Sequence, residues 1–143
     1  MPIVSYQSES VERTEAIAAE LAKQLIGGEV IALEGDLGAG KTQFVRGLVK
    51  GLGGDGRAVS SPTFVLLNVY DQGRLTVFHL DAYRVHGADD FEAIGFTELL
   101  EQGGVIAVEW PQRVPSLLPA RRFTVRLTAT DESSRRIEIE SPD

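Results

Sequence analysis

The residues whose types and spacing could do chemistry are Gly35-Asp36-Leu37-Gly38-Ala39-Gly40-Lys41-Thr42. Their pattern, Gly-x4-Gly-Lys-Thr, suits a loop that wraps a chain of phosphates. Glycine reaches backbone conformations closed to other residues and lets the main chain approach a ligand closely. Successive N–H groups can then converge into an anion nest. A helix that follows adds unpaired N–H groups and the positive end of its dipole. Lys41 offers a cation to the β- and γ-phosphates, and Thr42 a hard hydroxyl oxygen suited to Mg2+. The bland alternative is a glycine turn that only joins a strand to a helix.

The motif requires a strand before it and a helix after it. Val30-Ile31-Ala32-Leu33 is an uninterrupted apolar run, as expected of a strand covered on both faces. A helical pattern runs from about Lys41 to Leu52, with Gly51, Gly53, Gly54 and Gly56 around its end. Upstream, Ile3–Tyr6 reads as extended. Ser10 is a candidate N-cap for a helix carrying Ile17, Leu21 and Leu25, which Gly27-Gly28 stops.

Downstream, Val65–Tyr70 and Leu75–Asp81 are predicted to pair antiparallel across the turn Asp71–Arg74. Asp89–Gly95 and Thr97–Glu101 are predicted short helices. Val105-Ile106-Ala107-Val108 reads as a second buried strand, parallel to the one before the glycine loop. Phe123–Leu127 and Arg136–Ile139 alternate, and around Asp131–Ser134 they predict a hairpin with one wet face. The expected architecture is α/β: one domain spanning residues 1–143, layered like P-loop nucleotide-binding folds. Its mixed sheet is parallel at the centre and antiparallel at the flanks.

Composition narrows the partners. The chain of 143 residues is long enough for a real core, and its 43% apolar and 24% charged content is ordinary for a globular domain. No apolar run approaches the ~20 residues of a membrane helix, and the first ten residues do not read as a signal peptide. The absence of cysteine excludes disulfides and thiol nucleophiles. The expected compartment is the cytoplasm. A net charge of −7, with Arg121-Arg122 and Arg135-Arg136 as the only basic arginine pairs, favours a protein partner over direct contact with a nucleic acid backbone.

A phosphate loop needs acidic residues at strand ends facing it. Asp81 and Glu109 qualify. The continuous run before Glu109 suits a central parallel strand, which makes Glu109 the better metal-side carboxylate. Asp81 is then left to hold a metal-bound or attacking water, or a switch segment. Either acid could instead be a solvated strand end. In Ser61-Pro62-Thr63, the threonine could meet the γ-phosphate and Mg2+, or Pro62 could simply fix the entry to a strand. Trp110 reads as a core residue before a base-stacking one. His79 reads as a hydrogen-bonded structural residue before a general base.

Four motifs occur in order: Gly35–Thr42, Ser61-Pro-Thr-Phe64, His79-Leu-Asp-Ala-Tyr-Arg84 and Val108-Glu-Trp-Pro111. Together they closely resemble the bacterial TsaE family, also called YjeE, over nearly the whole chain. That resemblance implies an ATPase that binds ATP with Mg2+, hydrolyses it slowly, and is needed to make threonylcarbamoyladenosine in tRNA. It further implies action on a complex of TsaD and TsaB, with tRNA reached indirectly through that complex and no membrane involved. Carried over by position, Gly38, Ala39, Gly40, Lys41, Thr42 and Gln43 would hold the phosphates. Thr42 and Glu109 would serve Mg2+, and Thr63 and Asp81 would support hydrolysis and switching. Val11 and Thr14 would lie near the base, and Ser134-Arg135 would reach the nucleotide. Gln43 departs from a common second threonine, and Gln112 from a common acid.

Three rival readings compete with this one. A small-molecule kinase needs an acceptor pocket and a lid, for which little chain remains. A GTP switch needs Asp-x-x-Gly and Asn-Lys-x-Asp; Asp81 is followed by Ala-Tyr-Arg and no Asn-Lys pair exists. A nucleotide-binding module without turnover is the third. Without the resemblance, no base-reading motif is visible.

Overall fold

The computed structural model describes residues 2–36, 38–60, 67–83 and 95–142. Its strands are β1 (Ile3–Ser8), β2 (Val30–Glu34), β3 (Leu67–Tyr70), β4 (Val77–Asp81), β5 (Val105–Glu109), β6 (Phe123–Ala129) and β7 (Arg135–Glu140). Its α-helices are α1 (Val11–Ala22), α2 (Lys41–Gly51) and α3 (Phe96–Glu101). The strands form one seven-stranded sheet in the order β1-β7-β6-β2-β5-β4-β3. The pairs β6–β2, β2–β5 and β5–β4 are parallel, while β1–β7, β7–β6 and β4–β3 are antiparallel. This is the mixed sheet expected, parallel at its centre and antiparallel at both flanks.

The unbroken apolar runs are explained by cover on both faces. Alternate residues of the central strands point to opposite sides. Ile31, Leu33, Val105, Ala107 and Val125 join Ile17, Leu21, Phe44 and Leu48 of α1 and α2 in one core. Val30, Phe78, Leu80, Ile106 and Val108 join Phe96, Leu99 and Val114 in a second core on the other face. The sheet is thus the middle of three layers.

Helix α1 begins where Ser10 accepts from the Arg13 N–H at 3.0 Å, the N-cap predicted from the sequence. Its last turn carries no basic residue. Arg74, from the β3–β4 connection, supplies the charge instead, donating to the Ala22 and Leu25 carbonyls at 2.8 and 2.9 Å. α1 and α2 cross closely because Gly47 and Gly51 of α2 face α1. A Cβ on Gly47 would lie 2.7 Å from Glu15 Cα and 2.8 Å from Ala18 Cβ, and one on Gly51 would lie 2.7 Å from Ala19 Cα. Lys50 of α2 pairs with Glu15 of α1 at 2.5 Å across the same crossing.

Several boundaries differ from the sequence reading. β1 runs on to Ser8, whose hydroxyl lies 2.7 Å from that of Thr14. β4 begins at Val77 rather than Leu75, because Arg74 is drawn towards α1 and the connection runs over residues 71–76. The start of the strand predicted over 65–70 and the helix predicted over 89–95, apart from Gly95, lie outside the described residues. So do Leu37, Thr63 and Arg84. Gly95, with φ of 86°, is the N-cap of α3.

Gly47→Ala tests the helix crossing. Helix propensity alone favours alanine by about 1 kcal/mol. The backbone of α1 occupies the space the methyl needs, so a net loss of about 1–3 kcal/mol is expected in denaturant unfolding. A gain in stability would show that the helices can part freely.

Candidate functional site

β2 delivers the chain to the glycine loop at the C-terminal edge of the sheet, and α2 carries it away. Gly38 and Gly40 adopt φ of 81° and 104°. At Gly38 a Cβ would meet nothing within 4 Å, so left-handed backbone rather than lack of room calls for glycine there. Gly35 is required for space: a Cβ would sit 2.8 Å from the Leu127 carbonyl oxygen of β6. Gly40 is the N-cap of α2 and makes no side-chain cap bond. The first-turn N–H groups, around Lys41, Thr42 and Gln43, therefore begin a helix whose dipole end has no capping side chain.

Lys41 is buried, with 5% of its surface exposed. Its Nζ donates to the Gly35 carbonyl at 2.7 Å, closing the loop on itself. The same ammonium lies 4.1 Å from the Trp110 ring centroid and 3.9 Å from Glu109 Oε1. Burial lowers the lysine's pKa, opposed by the charges of Glu109, Asp81 and Asp36.

Asp81 and Glu109 end neighbouring parallel strands and are paired in register. By alternation they share the sheet face of Val77, Val105 and Ala107, the face that α1 and α2 cover. The Asp81 carboxylate accepts from the Tyr83 N–H at 2.8 Å. Burial raises its pKa above the usual carboxylate value, and the Glu109 charge adds to this, against the Tyr83 bond and the nearby Lys41 and His79. Glu109 Oε2 lies 2.6 Å from His79 Nε2. The sequence argument ranked Glu109 first because β4 looked like half of a hairpin. β4 is indeed antiparallel to β3, yet it is also parallel to β5. What separates the two acids is adjacency: β5 lies directly against β2, and β4 is one strand further out.

On the other side of the loop, a cleft of about 270 Å³ is lined by Ser10, Val11, Thr14, Gln43, Ser133 and Arg135, together with Gly38 and Gly40. Val11 and Thr14 thus stand beside the glycine loop. Ser134 sits in the β6–β7 turn, where Asp131 Oδ1 accepts from the Ser133 and Ser134 N–H groups at 2.9 and 2.8 Å. Arg135 ties this turn to the loop. Its guanidinium donates to the Gly38 carbonyl at 2.9 Å and to the Asp131 and Ser134 carbonyls at 3.0 and 2.8 Å. Thr42 is half-buried in the first turn of α2, and Ala39 is buried. Gln112 lines a separate cleft of about 420 Å³ with Asp36, Trp110 and Arg126. Arg126 is already paired there with Glu34 and Glu140.

Three contacts were not legible from sequence. They are the bond between His79 and Glu109, the Trp110 face over Lys41, and the Arg135 bond to the Gly38 carbonyl. The first joins β4 to β5, the second joins the residue after β5 to α2, and the third joins β7 to the loop. Only Trp110 carries a further mark. It is the one non-glycine among the described residues with positive φ, at 57°, a conformation disfavoured for a bulky side chain.

The donor set fits a magnesium–nucleotide complex. The Thr42 hydroxyl and the Asp81 and Glu109 carboxylates are hard oxygens, and Mg2+ commonly takes one or two protein oxygens with the remainder from water and phosphate.

The chain is similar to known proteins over most of its length. The family model of "Threonylcarbamoyl adenosine biosynthesis protein TsaE" matches residues 8–137. Proteins named tRNA threonylcarbamoyladenosine biosynthesis protein TsaE are similar across most of the chain. The one from Treponema pallidum is 40% identical, over 97% of this chain and 99% of its own. The one from Bacillus subtilis is 37% identical, over 96% and 85%. The one from Nostoc is 42% identical, over 90% and 80%. The crystal structure of YdiB from Bacillus subtilis superposes with a TM-score of 0.81 at 31% identity, covering 99% of this chain and 87% of that one. With its glycine loop, paired strand-end acids and mixed sheet, this chain belongs to the TsaE family of threonylcarbamoyladenosine biosynthesis proteins.

Proposed function

We propose that this protein is a slow, Mg2+-dependent ATPase that serves threonylcarbamoyladenosine modification of tRNA by acting on a TsaD–TsaB complex in the cytoplasm. TsaD would transfer the threonylcarbamoyl group to the adenosine beside the anticodon, and the ATPase would reset or regulate that complex. The observation that carries the reading is the buried Lys41 ammonium at the mouth of the glycine loop, 3.9 Å from Glu109. The family's place in threonylcarbamoyladenosine biosynthesis supports the biological assignment.

In this reading the loop from Gly38 to Gln43 holds the phosphates, and Lys41 exchanges part of its present environment for them. Thr42 and Glu109 hold the metal ion. When bound, Mg2+ neutralises charge on the β- and γ-phosphate oxygens. Asp81 orients the attacking water, and Thr63 joins it in hydrolysis and switching. The base occupies the cleft beside Val11 and Thr14, closed by the turn that carries Ser134. The charge of −7 agrees with tRNA being met through protein partners.

Turnover tests the whole assignment. Adding purified TsaD–TsaB complex and tRNA is expected to raise ATP hydrolysis, and Lys41→Ala to reduce it by about 100-fold or more. Turnover that ignores both would reject the reading. Magnesium separates the two acids. Glu109→Ala is expected to weaken Mg2+-dependent ATP binding more than Asp81→Ala in calorimetric titrations, and the reverse order would exchange their roles.

Asp81 also makes a stability prediction. Its folded-state pKa lies above the unfolded value, so the native state holds this proton more tightly. Stability from this group therefore falls as pH rises from the unfolded value through the raised folded one. Asp81→Asn keeps an oxygen acceptor for the Tyr83 N–H without the buried charge. It is expected to raise Tm at pH 8, with the gain vanishing below about pH 3, where both states of the acid are protonated. A lowered Tm at pH 8 would contradict this.

A further inference from the structure

We propose that His79 is a positioning residue for Glu109. It fixes one carboxylate oxygen so that the other is presented to the divalent cation at the phosphate loop. The inference rests on the metal role given to Glu109 above, and it concerns a side chain that role does not involve.

The geometry is specific. His79 is completely buried, and its Nε2 lies 2.6 Å from Glu109 Oε2. The other oxygen, Oε1, is the one nearer the Lys41 ammonium. The two carboxylate oxygens thus face different partners, and the side chain is held in one orientation. A ligating carboxylate carries its negative charge, so Nε2 bears the hydrogen and donates it. Register explains how the contact is reached. His79 pairs directly with Ala107 and Asp81 with Glu109. The imidazole therefore crosses diagonally to the next same-face position on β5, a reach open to long side chains. The small, fully buried Ala107 leaves that path clear. On the opposite side the Tyr70 ring stands with its centroid 6.1 Å from that of His79.

A purely structural explanation fits these facts poorly. Val77, Val105 and Ala107 on the same face are apolar and fully packed. Among the described residues, His79 Nδ1 is buried without a hydrogen-bond partner. Leaving a buried polar nitrogen unpaired costs stability that a leucine or phenylalanine would not. The imidazole is accounted for by the bond it makes to Glu109. Partners of this kind orient a metal ligand, and their loss typically weakens metal binding by about 10–100-fold.

The test compares His79→Gln with His79→Met. The two side chains are close in length, and only glutamine can donate to the carboxylate. Mn2+ affinity of each ADP-saturated protein is read from the free-ion signal in electron paramagnetic resonance. ADP affinity in EDTA and thermal unfolding are measured alongside, with Glu109→Ala as reference. His79→Met is expected to weaken Mn2+ binding by about 10-fold or more without altering metal-free ADP affinity, and His79→Gln to recover most of the loss. Ala107→Val, which crowds the imidazole's path, gives the same loss by a second route should His79→Met not fold. Loss of Mn2+ affinity in Glu109→Ala alone overturns the positioning role and leaves the proposed function standing. Equal losses in the Gln and Met variants overturn it also, because packing would then suffice. Unchanged Mn2+ affinity in Glu109→Ala removes the metal assignment itself, and this inference with it.

Discussion

A lysine ammonium held out of water is the constraint around which the functional edge of this sheet is arranged. Burying a cation is costly unless other groups replace its hydration. Lys41 meets the Gly35 carbonyl, the Trp110 ring face and the Glu109 carboxylate. Each of these imposes a demand of its own. Gly35 must lie close to Leu127, which leaves no room for a side chain. Trp110 must turn through left-handed backbone immediately after β5 to bring its ring over the lysine. Glu109 must be held at a strand end, and His79 meets one of its oxygens there.

The layers behind this edge make the arrangement rigid. β2 is covered by α1 and α2 on one face and by the α3 side on the other, so its end has little freedom to shift. The close α1–α2 crossing, made by Gly47 and Gly51, sets where α2 begins relative to β2. The antiparallel flank of β6 and β7 supplies what a parallel centre alone lacks, a turn that folds back onto the loop. Arg135 reaches Gly38 from there, and Asp131 holds the turn in shape. Loop, helix start and turn together border one cleft.

The acids illustrate how a local pattern shows one strand neighbour and conceals another. Apolar continuity before Glu109 reflected a central strand, and β5 does lie against β2. The mostly apolar, turn-flanked stretch before Asp81 reads as half of a hairpin, and it does pair with β3. That pairing conceals the other edge of β4, which runs parallel to β5 and aligns Asp81 with Glu109. A hairpin leaves a local signature because its turn is contiguous in sequence. A parallel neighbour leaves none, because its partner is 28 residues away by that register (109 − 81).

The sequence by itself determined the elements whose causes are local. The glycine loop was legible from its spacing, the α1 cap from Ser10, and the buried strands from their unbroken apolar runs. The mixed character of the sheet followed from the contrast between continuous and alternating strands. Only the tertiary structure decided which side chains meet: His79 with Glu109, Trp110 with Lys41, Arg135 with Gly38, and Arg74 with the end of α1. These contacts join residues on different elements, and their existence depends on strand order and register. Those are set by how whole faces bury against one another, a quantity that no short stretch of the chain carries.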